Sequence, residues 1–177
     1  NQAAGTLLAP LLARMRGALA AEGARSRIDG DMKIRIEPDR TTLTLPGARW
    51  LGTSGANLLD LSRVHVSFGA SGGPQVSGNF RTGGRNMPVM VGEAVRGTGG
   101  DVRLTLAMAD YAAGDARLAI PGLTVRRTGA GALSLDGEVR ASGAIPGGRV
   151  RGLRLPVSGG WAPRSGLALW SGCVTPV

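Results

Sequence analysis

The chain has 177 residues, of which 42% are hydrophobic but only 3% aromatic, with 30 glycines and a net charge of +9. A chain of this length can bury a core as one domain without disulfides, and its single cysteine, Cys173, excludes an internal one. The cations are arginines apart from Lys33 and are not interleaved with aromatic rings, which argues against a nucleic-acid partner, and no apolar run reaches the roughly 18 residues of a membrane helix.

Residues 5–22 are expected to form the one helix. Leu8, Leu12, Met15 and Leu19 recur at helical spacing, Leu11 widens the stripe, and Arg14 and Arg16 lie off it. Pro10 is expected at the first helical position, so that the helix proper starts near Ala9, and Gly23 is the expected stop. A helix packed on a sheet fits this pattern better than a membrane-surface helix, because the polar face is thin in cations.

From Ile28 the period changes to two. A first β segment is expected over residues 28–80 and a second over 100–161, in a single fragment spanning 1–177. In the first, Met32, Ile34 and Ile36 alternate with Lys33 and Arg35, and Leu43 and Leu45 follow a Pro38-Asp39-Arg40 turn. Residues 52–60 read as a loop. Val64, Val66 and Phe68 then share a face, and a short strand follows the turn at 71–74. Residues 81–100 are mostly loop-like around MPVMV. In the second segment Val102, Leu104, Leu106 and Met108 alternate, then Leu118 and Ile120, and then the ribbon 131–161. That ribbon is two runs, with Leu133 and Leu135 in the first and Leu153, Leu155 and Val157 in the second, joined by Ile-Pro-Gly-Gly.

The two segments echo one another at an offset of about 70 to 75 residues: GDMKIRI with GDVRLTL, and TLTLPG with ARLAIPG, each an alternating strand ending in Pro-Gly. The expectation is a mainly β fold, α+β by count. It is a twisted antiparallel meander of eight or nine strands with one amphipathic N-terminal helix packed on it.

Residues that do chemistry are scarce. His65 alternates out of the apolar set and has no nucleophile or carboxylate named to meet it. Asp29 and Asp31 lack the further ligands of a calcium loop, and Gly97-Thr98-Gly99-Gly100 precedes a strand and not a helix N-terminus. Cys173 reads as a small buried strand residue. The chain is expected to be no enzyme and to need no cofactor or metal. What remains is the apolar face. One helix cannot cover eight or nine strands spaced about 4.8 Å apart, so the sheet either closes into a barrel or sandwich or stays an open trough.

The ribbon LSLDGEVRASG…GRVRGLRLPVSGGW and the following LALWSGC resemble the bacterial AsmA-like envelope proteins, most closely the YdbH type once labelled for dicarboxylate transport and related to TamB. Family members are several times longer, and the chain, which starts at Asn1, reads as an excised piece of such a protein. The resemblance implies the periplasmic part of an inner-membrane-anchored envelope protein whose β segments form a trough for phospholipid acyl chains. It also implies the rest of the parent chain and other envelope proteins as partners. An edge-to-edge homodimer is a further expectation for an isolated piece. Carried onto this sequence, the trough wall would be Ile34, Ile36, Leu43, Leu45, Val64, Val66, Phe68, Leu104, Leu106, Leu118, Ile120, Leu133, Leu135 and Leu155. The older dicarboxylate label fits poorly, because a small dianion wants a closed polar pocket with converging cations. The competing reading is a closed β module whose apolar face is ordinary core.

Overall fold

Period-two alternation runs through the chain as long strands, and their pairing is that of a simple meander. The computed structural model describes residues 2–69, 73–162 and 166–171. Helix α1 (Gln2–Gly23) is followed by β1 (Arg27–Gly30), β2 (Lys33–Ile36), β3 (Arg40–Leu51), β4 (Asn57–Gly69), β5 (Gln75–Thr82) and β6 (Met90–Arg96). Then come β7 (Val102–Ala113), β8 (Ala116–Arg127), β9 (Leu133–Ile145), β10 (Gly148–Ala162) and β11 (Gly166–Ser171). Every pairing is antiparallel, and the spatial order is β1-β3-β4-β5-β6-β7-β8-β9-β10-β11, with β2 also on β3. β1 and β2 share one edge position: β1 pairs with Ala48–Leu51 and β2 with Thr41–Thr44. The sheet is therefore ten positions wide, roughly 43 Å. Its two edges do not meet, so it is open.

The meander expected from sequence is present, with eleven strands in place of eight or nine. Residues 52–60 are not all loop, since β4 begins at Asn57, and MPVMV opens β6. The expected strand at Met32–Ile36 is shorter, and Met32 lies between β1 and β2. The ribbon at 131–161 is the hairpin β9–β10, closed at Pro146-Gly147, where Gly147 takes φ 91°. The described part of the 71–74 turn begins at Gly73, and Cys173 lies outside the described residues.

The Pro-Gly pairs do not end strands. Pro46-Gly47 and Pro121-Gly122 lie inside β3 and β8, because the neighbouring strands are irregular where each proline stands. Pro46 faces the interruption between β1 and β2 and has no pair on β4. Pro121 falls in the register shifts of β8 against both β7 and β9. Pro156 sits just before the first β10 residue paired to β11. A proline has no N–H to give a ladder, so it is tolerated in a strand only where a partner is missing or bulged.

The helix also departs from expectation. It starts at Gln2, with the exposed Pro10 inside it, and stops at Gly23 as expected. Its buried stripe is Leu7, Leu11, Ala18 and Glu22, while Leu12 and Leu19 are exposed. Apolar residues occur nearly all round this helix, so spacing alone could not select the buried side. The helix does not lie along the sheet. It runs across the strand ends, from Gly143 on β9, beside Leu7, to the 52–56 loop, beside Glu22. Leu11 packs there in a core with Met108, Tyr111, Ala113 and Ala116.

Candidate functional site

Directly paired residues share a face, so the register assigns each side chain to one side of the sheet. One row across the middle reads Ala48, Leu61, Phe80, Gly92, Leu106, Leu123, Gly137 and Val157. A second row, nearer the end away from the helix, reads Ile34, Leu43, Val66, Val76, Arg96, Val102, Arg127, Leu133 and Trp161. Bulges keep these rows on one face. Between Ser62 and His65 the register of β4 against β5 shifts, with Arg63 at φ 52°, so Leu61 and Val64 face the same way although three residues apart. Similar shifts on β7 and β8 keep Met108 with Tyr111, and Ile120 with Leu123, on that face.

The fourteen residues named from sequence all lie on this apolar face. Ile36 and Phe68 flank Thr41, Leu45 pairs with Val64, and Leu104 is in line with Val125 and Leu135. Leu118 is opposite Tyr111 and Ala141, Ile120 opposite Met108, and Leu155 opposite Val139. Two of the fourteen do not form free wall: Leu118 and Ile120 pack against the core beneath α1. Sequence reasoning missed Phe80, Leu123, Val125, Val139 and Trp161 as wall residues. Their strands are interrupted by glycine or proline, which breaks the visible alternation.

Lateral packing within the face is close. The Phe80 ring lies over Gly92, Leu123 over Gly137 and Val64 over Gly78, each so near that a methyl group on the glycine would stand under 3.0 Å from it. Nothing covers the face itself among the described residues except α1 at one end. None of these residues has a side chain fully withdrawn from solvent. The chain exposes 11299 Å², against about 8,000 Å² expected for a compact monomer of this mass. Large apolar side chains are exposed along the β1/β2 edge and at the end away from the helix: Ile28 at 81%, Ile36 at 78%, Ile34 at 56%, Phe68 at 48%, Leu133 at 39% and Trp161 at 38%.

The other face is mostly polar, with Thr44, His65, Ser77, Val95, Arg103, Arg126 and Ser134 in one row. The Thr44 hydroxyl and His65 Nδ1 are 3.2 Å apart, and no carboxylate is hydrogen-bonded to His65. A shallow groove of about 700 Å³ opens mainly among residues of this face, including Arg63, Asn79, Glu93, Thr105 and Asp136. Among the described residues no three of His, Cys, Asp and Glu converge as metal ligands, and no helix is long and apolar enough to cross a membrane.

Two polar locks hold the helix in place. The Glu22 carboxylate accepts from the Ser54 amide at 3.0 Å and from its hydroxyl at 2.7 Å, which holds its pKa below the ordinary carboxylate value, with a smaller contribution from Arg85. Midway, Arg14 lies 5.8 Å from the Tyr111 ring centre, donates to Asn86 Oδ1 at 2.7 Å and donates to the Ala112 carbonyl. Tyr111 donates its hydroxyl to the Asn86 carbonyl at 2.8 Å, and burial raises its pKa against an opposing effect of Arg14.

Compared with protein-family models, with curated proteins and with solved structures, the chain matches none.

Proposed function

We propose that this chain is a non-enzymatic section of a bacterial envelope protein that binds or conducts phospholipid acyl chains along its apolar sheet face. In this reading it belongs to the periplasmic part of an inner-membrane-anchored protein. The observation that carries the reading is the open, one-sided apolar face, ten strand positions wide and covered by protein only where α1 crosses one end. Acyl chains match such a wall: they are covered by aliphatic side chains without needing polar partners, while headgroups stay in water. A closed module would bury the same residues against a second layer, and the described residues provide no such layer beyond the helix. The open edges at β1/β2 and at β11 offer unpaired backbone on which further strands of a parent chain, an envelope partner or a second copy would continue the sheet.

The test is native mass spectrometry of the purified chain with lipid extraction beside it, and uptake of a fluorescent acyl probe. Co-purifying phospholipid and probe uptake are expected, both lost in the Val66→Asp/Leu104→Asp variant while its β-sheet circular dichroism is kept. A lipid-free chain that takes up no probe overturns the reading.

A further inference from the structure

At the end of the sheet away from α1, the chain concentrates unpaired positive charge where the apolar face begins. Arg103 on β7 and Arg126 on β8 stand directly opposite each other on the polar face, and next to them Arg127 pairs with Val102 on the apolar face. Like charges facing each other across a strand pair are destabilising. None of the three guanidiniums makes a hydrogen bond or ion pair among the described residues. The carboxylates one pair further in on the polar face, Glu93 opposite Thr105 and Asp136 opposite Thr124, form no ion pair with them. The nearest acid at the rim, Asp101, accepts the Gly129 amide at 2.7 Å and so ties the 97–101 and 128–132 turns together.

These residues line one cavity. It is about 390 Å³, lined by Arg103, Arg126 and Arg127 together with Val95, Val102 and Asp101. Its lining draws on both rows at the sheet margin, Val102 and Arg127 from the apolar row and Val95, Arg103 and Arg126 from the polar one. From Val102 the apolar face continues inward through Leu104 and Leu106, and from Arg127 through Val125 and Leu123. Three guanidiniums without an ion-pair partner suit a multi-oxygen anion such as a phosphate, which takes several charge-assisted hydrogen bonds at once. An apolar track leading away from the anion suits an acyl chain.

We propose that this rim is a headgroup site: Arg103, Arg126 and Arg127 hold the phosphate of a phospholipid whose acyl chains lie along the apolar face. The site rests on the acyl-binding reading above and adds to it both a preferred lipid class, an accessible phosphate monoester or diester, and a place of entry opposite the helix-capped end.

The experiment uses two fluorescent probes with the same acyl chain, a monoacylglycerol and its phosphate, below their aggregation concentrations in physiological salt. The phosphate-bearing probe is expected to bind the 177-residue chain about tenfold more tightly. In the Arg103→Gln/Arg126→Gln/Arg127→Gln variant that ratio should fall to near one while the neutral probe binds unchanged. A control that removes equal charge from the polar face and edge, Arg27→Gln/Lys33→Gln/Arg154→Gln, should keep the ratio. The arginine variant should melt no lower than the parent, because it relieves the facing Arg103–Arg126 pair. Equal affinity of the two probes in the parent overturns the headgroup site, as does a ratio that survives the triple variant or collapses equally in the control. The acyl-binding reading survives each of these. Failure of the neutral probe to bind at all overturns both. Displacement of the phosphate probe by inorganic phosphate at matching concentration assigns the site to a free anion and overturns the lipid assignment.

Discussion

The two ends of the sheet carry the same alternating pattern and meet opposite fates. At one end Met108, Tyr111, Ala113 and Ala116 are buried under Leu11 of the helix. At the other, Ile36, Phe68, Leu133 and Trp161 occupy the same face with nothing over them among the described residues. Strand chemistry does not distinguish them, because both are apolar residues on one face of the same sheet. What differs is the polar hardware at the margin. The capped end has Glu22 on Ser54 and Arg14 on Asn86, which seat the helix. The open end has Arg103, Arg126 and Arg127, none of them ion-paired among the described residues. The same apolar surface is thus core where a second element is fastened to it and solvent-facing where none is among the described residues.

The comparison breaks if the ends respond alike to substitution. The largest effect is expected from Leu11→Ala, which removes a buried side chain from the core under the helix; a loss of about 2 to 4 kcal/mol is expected in urea unfolding. Next is Gly143→Ala. A methyl group there would stand 2.5 Å from Leu7 Cδ1 and 3.1 Å from the Ala116 backbone, at a φ of 151°. Overpacking should cost about 1 to 3 kcal/mol in the same assay and free the first turns of the helix to amide exchange.

The helix lock should also show in pH dependence. Glu22 has its pKa lowered on folding, so its contribution is complete above the unfolded carboxylate value and is lost as pH falls through the lower folded value. Thermal melts from pH 7 to pH 3 should drop at the acidic end, below about pH 4, and Glu22→Gln should flatten that drop. If Glu22→Gln melts with the parent's acid profile, other carboxylates hold the acid-labile contacts.

The smallest stability effect is expected at the open end. Phe68→Ser and Leu133→Ser remove side chains that are only partly buried, so each should cost about 1 kcal/mol of unfolding free energy, less than Leu11→Ala. Each should nevertheless weaken acyl-probe binding severalfold. A stability loss comparable to that of Leu11→Ala would mean that this end is core, and the contrast would fail.

Much of the fold was legible because an antiparallel meander is written locally. Leu43 and Leu45, or Leu104 and Leu106, declare their face through their own neighbours in sequence. Legibility failed where the period is interrupted. Pro46-Gly47 and Pro121-Gly122 read as strand ends, yet the strands pass through them, because bulges and a broken neighbouring strand excuse the missing N–H. Of the helix stripe, Leu11 is buried and Leu8 and Met15 pack against the core, but Leu12 and Leu19 are exposed and the buried Leu7 and Ala18 were missed, since apolar residues occur nearly all round the helix. Leu118 and Ile120 were placed in the wall with the rest, and only the seat of the helix separates them from it.

By itself the sequence determined the two-sided chemistry of the sheet, apolar on one face and polar on the other, because alternation is a property of adjacent residues. It also determined the scarcity of candidate catalytic groups, with one histidine between Val64 and Val66. Only the tertiary structure decided that the sheet stays open, that the helix crosses one end without lying along the face, and that Arg103, Arg126 and Arg127 gather around one cavity. Those outcomes depend on register between strands and on where a distant helix is fastened, and no local pattern of residues encodes either.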